Sequence, residues 1–207
     1  MTRFLGRLRR REVVLPMATF AVGALLAGTG AFATWTANSS ANHTLAAGTV
    51  QIALGNTGAS TNRLTVNASG LVPGDTVQRS FDITNTGSQD MASVALTTTA
   101  SPSSLLDTDA TNGLQMVIDR CSVAWTETGS SPAFSYSCSG STTTIVTSRA
   151  VIQSSLSLSG LSALTGGGSD HLRLTLTFPS SAGATFQGLT STLTYSFLAT
   201  QRAGTAH

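Results

Sequence analysis

Apolar and polar residues alternate with a period of two along most of this 207-residue chain. Over residues 75–85, Val77, Phe81 and Ile83 share one face, while Gln78, Ser80, Asp82 and Thr84 take the other. Residues 172–178 set Leu172, Leu174, Leu176 and Phe178 against Arg173, Thr175 and Thr177, and Pro179 ends the ladder. In 189–199, Leu193, Tyr195 and Phe197 oppose Thr192, Thr194 and Ser196, and weaker versions run through 49–54, 63–67, 93–98 and 114–120. Successive strand side chains point to opposite faces, so each stretch reads as a strand with one buried side. Turn residues separate them at Pro73-Gly74-Asp75, Asn85-Thr86-Gly87, Asn112-Gly113 and Gly166-Gly167-Gly168, the last reading as a flexible loop. The pattern predicts an all-β fold, a single antiparallel β-sandwich of jelly-roll type. Residues 150–164 fit neither period alone, because Leu156, Leu158, Leu161 and Leu164 satisfy both, and a short helix or a capping loop is open there.

The first 36 residues break this pattern. Arg3, Arg7, Arg9, Arg10 and Arg11 precede an uncharged run over 13–33, closing in Ala31-Phe32-Ala33 before Thr34. A basic head, an apolar middle and a small-x-small end make an export signal, with Ala31, Ala33 and Thr34 marking the expected cleavage point. A retained membrane anchor is the alternative, since about 20 apolar residues span a bilayer. Against it, Pro16, Gly23, Gly28 and Gly30 interrupt the run, and no basic cluster follows. The expected organisation is a signal peptide over 1–33, a separate N-terminal segment over 34–47, and a β-sandwich domain over 48–207.

Export changes the reading of charge and of cysteine. From Thr34 onward six arginines face eight acids, a net of −2, so the basicity belongs to the leader and there is no nucleic-acid footprint. Lysine is absent, charged residues make up 10% of the chain, and serine and threonine are abundant. That composition suits strands in a secreted, matrix-type or cell-surface protein. Two cysteines in an exported chain favour a disulfide between Cys121 and Cys138 over free thiols or a metal site. A hairpin placing Cys121 opposite Cys138, Val123 opposite Tyr136 and Trp125 opposite Phe134, with 126–133 as its loop, satisfies all three pairs in one register.

Catalytic signals are sparse. The histidines are His43, His171 and His207, and neither HExxH nor GxSxG occurs. No cofactor-binding motif is present. Asp170-His171 beside the glycine triplet reads as ordinary surface. Asp107 and Asp109, in a loop over 105–112, offer oxygens to a hard cation but fall short of the six to eight ligands Ca²⁺ takes. Asn38, Asn42 and Asn67 stand in N-x-Ser/Thr patterns, which arise by chance in a chain of this composition.

The leader ending Ala31-Phe32-Ala33-Thr34-Trp35, followed by Asn42-His43-Thr44-Leu45-Ala46-Ala47-Gly48-Thr49-Val50-Gln51-Ile52, resembles the start of TasA/camelysin-type proteins. The block Leu71-Val72-Pro73-Gly74-Asp75-Thr76-Val77-Gln78-Arg79-Ser80-Phe81, then Asn85-Thr86-Gly87-Ser88, is similar to that family's L-x-PGD-x-V-x-R-x-F and N-x-G-S elements. The resemblance implies processing by a signal peptidase of the SipW class and export to the extracellular matrix or cell surface. It further implies a structural or adhesive role in a biofilm matrix, with copies of itself and other matrix or cell-wall components as partners. Fibres would form by donor-strand exchange: the freed segment 34–47 of one copy, anchored by Trp35 and Leu45, completes the sheet of the next. A camelysin-like secreted metallopeptidase, with His43 and His171 as the conceivable histidine ligands, is the alternative activity; a monomeric adhesin or ligand-binding sandwich is the third. The chain departs from the family at Ala37 and Gln51, where members often carry acids, and in its cysteine pair. The PGD block itself reads as fold-forming, not catalytic.

Overall fold

The alternation resolves into two antiparallel sheets among the described residues, 49–64 and 70–204 of a computed structural model. The strands are β1 (Ile52–Leu54), β2 (Thr76–Asn85), β3 (Met91–Ala100), β4 (Gln115–Cys121), β5 (Thr126–Ser130), β6 (Ala133–Ser137), β7 (Thr142–Ala150), β8 (Gln153–Leu158), β9 (Ser169–Thr177) and β10 (Leu193–Gln201). One sheet has five strands in the order β1-β2-β9-β4-β7, and the other has three in the order β10-β3-β8; β5 and β6 form a separate hairpin. The chain changes sheet from β2 to β3, from β3 to β4, and at each step from β7 to β10, interleaving the layers as jelly-roll sandwiches do.

Register puts the large apolar residues on the inner faces. Phe81 lies opposite Leu172, Ile118 opposite Leu174, Leu96 opposite Phe197, and Val94 opposite Leu158. Phe81, Ile83, Val94, Leu96, Met116, Ile118, Leu158 and Leu172 are each at most 1% exposed and belong to one core spanning both sheets. Burying each such side chain contributes about 1.5–3 kcal/mol relative to leaving it in water.

The Pro73-Gly74-Asp75 turn joins the start of β2 to the end of β9. Gly74 takes φ +99°, in the left-handed region that glycine tolerates. Its N–H donates to the Phe178 carbonyl at 2.8 Å, while the Phe178 N–H donates to the Asp75 carbonyl at 2.9 Å. At the other end of β2, the buried Asn85 accepts the Gly87 N–H at 2.9 Å and donates to the Gln89 carbonyl at 2.9 Å, closing the turn into β3. The block is architectural, as its turn chemistry implied.

Three local expectations need correction, and the stretch left open over 150–164 is resolved. Over 63–67, the described residues Arg63 and Leu64 are not in a strand; a single bridge joins Asn62 to Phe81 instead. Residues 150–164 hold strand β8 and, after it, the short helix left open there, a single 3₁₀ turn at Ser162–Leu164. The loop expected over 105–112 contains a one-turn helix, α1 (Leu105–Thr108), which has a capping box: Ser104 accepts from the Leu106 N–H, and Asp107 reaches back to the Ser104 N–H. The Gly166-Gly167-Gly168 triplet is a bonded turn, with Gly167 donating to the Asn85 carbonyl and Gly168 accepting from the Asn85 N–H. Among the described residues no helix is long and apolar enough to cross a membrane.

Candidate functional site

On the side of the sandwich formed by β2 and β10, the sheets close over part of their length only. Phe81 and Phe197 meet across the layers with ring centroids 5.3 Å apart. Toward Val77 and Leu193 the layers stay apart, leaving an apolar groove of about 610 Å³ lined by Leu71, Val77, Leu176, Phe186, Leu193 and Tyr195, among others. That volume falls within the range of ligand-sized clefts. Two polar groups interrupt its apolar wall. Arg79 occupies an inward position between Val77 and Phe81, is 3% exposed, and its pKa is lowered, chiefly by burial. The Tyr195 hydroxyl is buried without a hydrogen-bond partner among the described residues, and burial pushes its pKa up.

The strand edges beside this groove are incompletely paired. β10 pairs with β3 on one side, and no described strand pairs with its outer side. β2 pairs with β1 only over Ile83–Asn85. Unpaired strand edges are templates for an incoming chain.

The outer face of the five-stranded sheet carries the β5–β6 hairpin, fastened by the disulfide. Cys121, at the end of β4, and Cys138, just after β6, are bonded with Cα atoms 5.8 Å apart. The pairing expected from the sequence is therefore present, but the hairpin register differs. Glu127 lies opposite Tyr136, Gly129 opposite Phe134, and the turn falls at Ser131-Pro132. The expected loop thus contains β5, and Cys121 pairs with Thr142 and His171 instead of Cys138. A two-residue turn closed by proline outcompetes the long loop, and polar β5 carries little apolar signal. Val123 is left 43% exposed, whereas Trp125, Tyr136 and Cys121 form a small second cluster with Phe134 and Cys138.

Beneath the hairpin the polar residues are paired. Trp125 Nε1 donates to the His171 carbonyl at 3.1 Å, and the Arg173 guanidinium lies 4.4 Å over the Trp125 ring. Arg173 also donates to Asp119 at 2.8 Å, and Glu127 receives Arg63 through both carboxylate oxygens at 2.9 and 2.5 Å. The hydrogen bond from Arg63 is the main reason that Glu127 is held below its ordinary pKa of 4.5. A depressed folded-state pKa gives stability that is present above pH 4.5 and lost as pH falls through the folded value. Thermal melts between pH 6 and pH 3 are therefore expected to show a steeper acid decline in the parent chain than in Glu127→Gln.

The other residues singled out in the sequence have structural employment or lie elsewhere. Asp107 accepts from Ser103, Ser104 and Ser191; burial raises its pKa, but these bonds prevail and hold it below the ordinary value. Asp109 caps the following turn through the Thr111 and Asn112 N–H groups at 2.9 Å. Asp170, expected at the surface, is 2% exposed and caps the 3₁₀ turn by accepting from Ser162 and Ala163. His171 points to the opposite face, with Nδ1 2.9 Å from Asp82. Ala31, Ala33, Thr34, Trp35, Ala37, Asn38, Asn42, His43, Leu45, Asn67 and His207 lie outside the described residues. The groove itself was not anticipated, although position parity alone puts Arg79 on the inner face with Val77 and Phe81.

A family model described as camelysin metallo-endopeptidase matches residues 8–206. The chain belongs to this TasA/camelysin family. No curated protein matches the chain. The family description implies a metal, and a catalytic zinc takes three protein ligands plus an open position. Among the described residues no three His, Cys, Asp or Glu side chains converge to hold one. Both cysteines are in the disulfide, and Asp170 faces away from His171 and Asp82 to cap its turn. The donor set of the described residues does not fit a catalytic metal centre.

Proposed function

We propose that this family member is an exported structural or adhesive protein of the extracellular matrix or cell surface that associates with copies of itself through strand addition. The observation that carries this reading is the apolar groove beside the open outer edge of β10. An incoming strand would gain main-chain hydrogen bonds from that edge and place alternate side chains in the groove, the general mode of β-augmentation. The donor we assign is residues 34–47 of a second copy, with Trp35 and Leu45 as apolar anchors, freed by cleavage after Ala33 by a signal peptidase of the SipW class. Other matrix or cell-wall components are further partners of such a surface.

The test compares chains spanning 34–207 and 48–207 by light scattering and electron microscopy at neutral and mildly acidic pH. Assembly by the longer chain alone is expected. If both stay monomeric, strand addition is overturned in favour of a monomeric adhesin. The family description favours a second reading, a secreted metallopeptidase. Casein hydrolysis abolished by a chelator and restored by Zn²⁺ would establish it in place of the structural role.

A further inference from the structure

Next to β1, the edge of β2 is covered over residues 80–82 by a segment that is not a strand. The Arg63 N–H donates to the Ser80 carbonyl at 2.8 Å, the Asp82 N–H donates to the Thr61 carbonyl at 2.8 Å, and the Ser80 hydroxyl donates to the Ser60 carbonyl at 2.5 Å. Its own bonds are short-range turns, from Ala59 to the Asn56 carbonyl and from Asn62 to the Ala59 carbonyl. These two backbone bonds, which make up the Asn62–Phe81 bridge, and one hydroxyl bond hold a segment weakly, because each net hydrogen bond is worth little against water.

Asn62 is buried and Leu64 packs against the main core, and Arg63 ties the segment to the hairpin. The guanidinium meets Glu127 through both oxygens, lies 4.5 Å over the Phe134 ring, and donates to the Gly58 carbonyl. Bidentate charge-assisted pairs of this kind are the stronger class of hydrogen bond. Glu127 and Phe134 both belong to the β5–β6 hairpin, and Tyr136 fixes the carboxylate by donating to Glu127 Oε2 at 2.8 Å. The hairpin is in turn anchored by the Cys121–Cys138 bond, by Trp125 on the His171 carbonyl, and by the Tyr136 N–H on Gln78 Oε1 at 3.2 Å.

We infer that residues 60–64 are a built-in plug on the β2 edge, latched by Arg63 to the disulfide-anchored hairpin, and that unlatching opens this edge to a second copy. The inference rests on the reading that copies associate through strand edges, and it adds how one of those edges is kept closed. The plug supplies the bonds an intruding strand would make, and its turns prevent it from extending the sheet further.

The test is hydrogen exchange on the full exported chain, with the Arg63 and Asp82 amides as reporters, together with assembly rate by light scattering. Parent, Arg63→Gln, Glu127→Gln and the double variant Cys121→Ala/Cys138→Ala are compared. Exchange at both reporters is expected to rise on the order of tenfold in each variant, with the β4–β9 ladder unchanged and assembly faster. Glu127→Gln keeps shape and disulfide, so it reports on the latch even where the cysteine variant fails to fold. Unchanged reporters in Arg63→Gln and Glu127→Gln would overturn the latch, whatever residues 34–47 do. Loosened reporters with unaltered assembly would overturn the claim that this edge receives a partner. Assembly that accelerates on unlatching but proceeds equally without residues 34–47 would support the latch and remove the N-terminal segment as donor.

Discussion

Phe81→Ala is expected to destabilise the folded chain by about 3–5 kcal/mol, the range for truncating a buried aromatic side chain. Phe81 is 1% exposed, its ring stands 5.3 Å from that of Phe197, and it lies opposite Leu172 on β9. It therefore ties the two sheets together where they close below the groove. Removing the ring forfeits its transfer free energy and leaves a void between rigid sheets that collapse only in part. Each kcal/mol lowers the melting temperature of a domain of this size by roughly 2–4 °C, so a fall of about 6–20 °C should follow. Phe197→Ala should cost less, because Phe197 is only partly buried on the open side of β10. Urea titrations of both variants check this: a Phe81→Ala loss under about 1 kcal/mol would mean that the sheets do not close through this residue.

Much of the fold was legible because it depends on parity. Where large apolar residues alternate with polar ones, as in β2, β9 and β10, the inward set could be named from the sequence, and the structure buries Phe81, Ile83, Leu172 and Leu174 as that alternation requires. β7 was missed because parity is silent there: of its nine residues only Val146 is buried, and threonine supplies both faces. The unbroken β-branched run from Thr142 to Thr147 was the available signal, since such residues favour a pleated backbone whichever face they occupy. β5 was read as loop for a related reason, having no large apolar residue of its own.

The candidate site was less legible because it is made by what the sheets leave open. A groove between layers depends on how far β2 and β10 diverge, and no local pattern encodes that separation. Arg79 was the nearest clue, a cation at an inward position that an ordinary core would exclude. The Arg63–Glu127 pair joins residues 64 apart in sequence, so its geometry depends on the hairpin register, which local pairing rules misjudged. The disulfide was accessible from the expectation of export and the cysteine count, and it survives the error in register. It joins the ends of β4 and β6, and does not need the two cysteines to face each other across a hairpin.

That placement determines what Cys121→Ala/Cys138→Ala should do. The bond closes a sequence separation of 17, for which the chain-entropy model assigns about 3 kcal/mol. On those terms the melting temperature would fall by roughly 6–12 °C. The loss should be concentrated in the hairpin, because the main core of Phe81, Ile118 and Leu172 has no member in the Cys121–Trp125–Tyr136 cluster. Amide exchange is then expected to quicken first across β5 and β6, while the β2–β9 and β4–β9 ladders open only with global unfolding. Acid sensitivity should change with it. Glu127 owes its depressed pKa chiefly to Arg63, and a hairpin free to move away takes that partner's effect with it. The double variant should consequently lose part of the acid-dependent decline seen in the parent and approach the profile of Glu127→Gln. If the variant keeps the full parental pH profile, the Arg63–Glu127 contact holds without the disulfide, and the hairpin is positioned by that contact together with the hydrogen bonds of Trp125 and Tyr136.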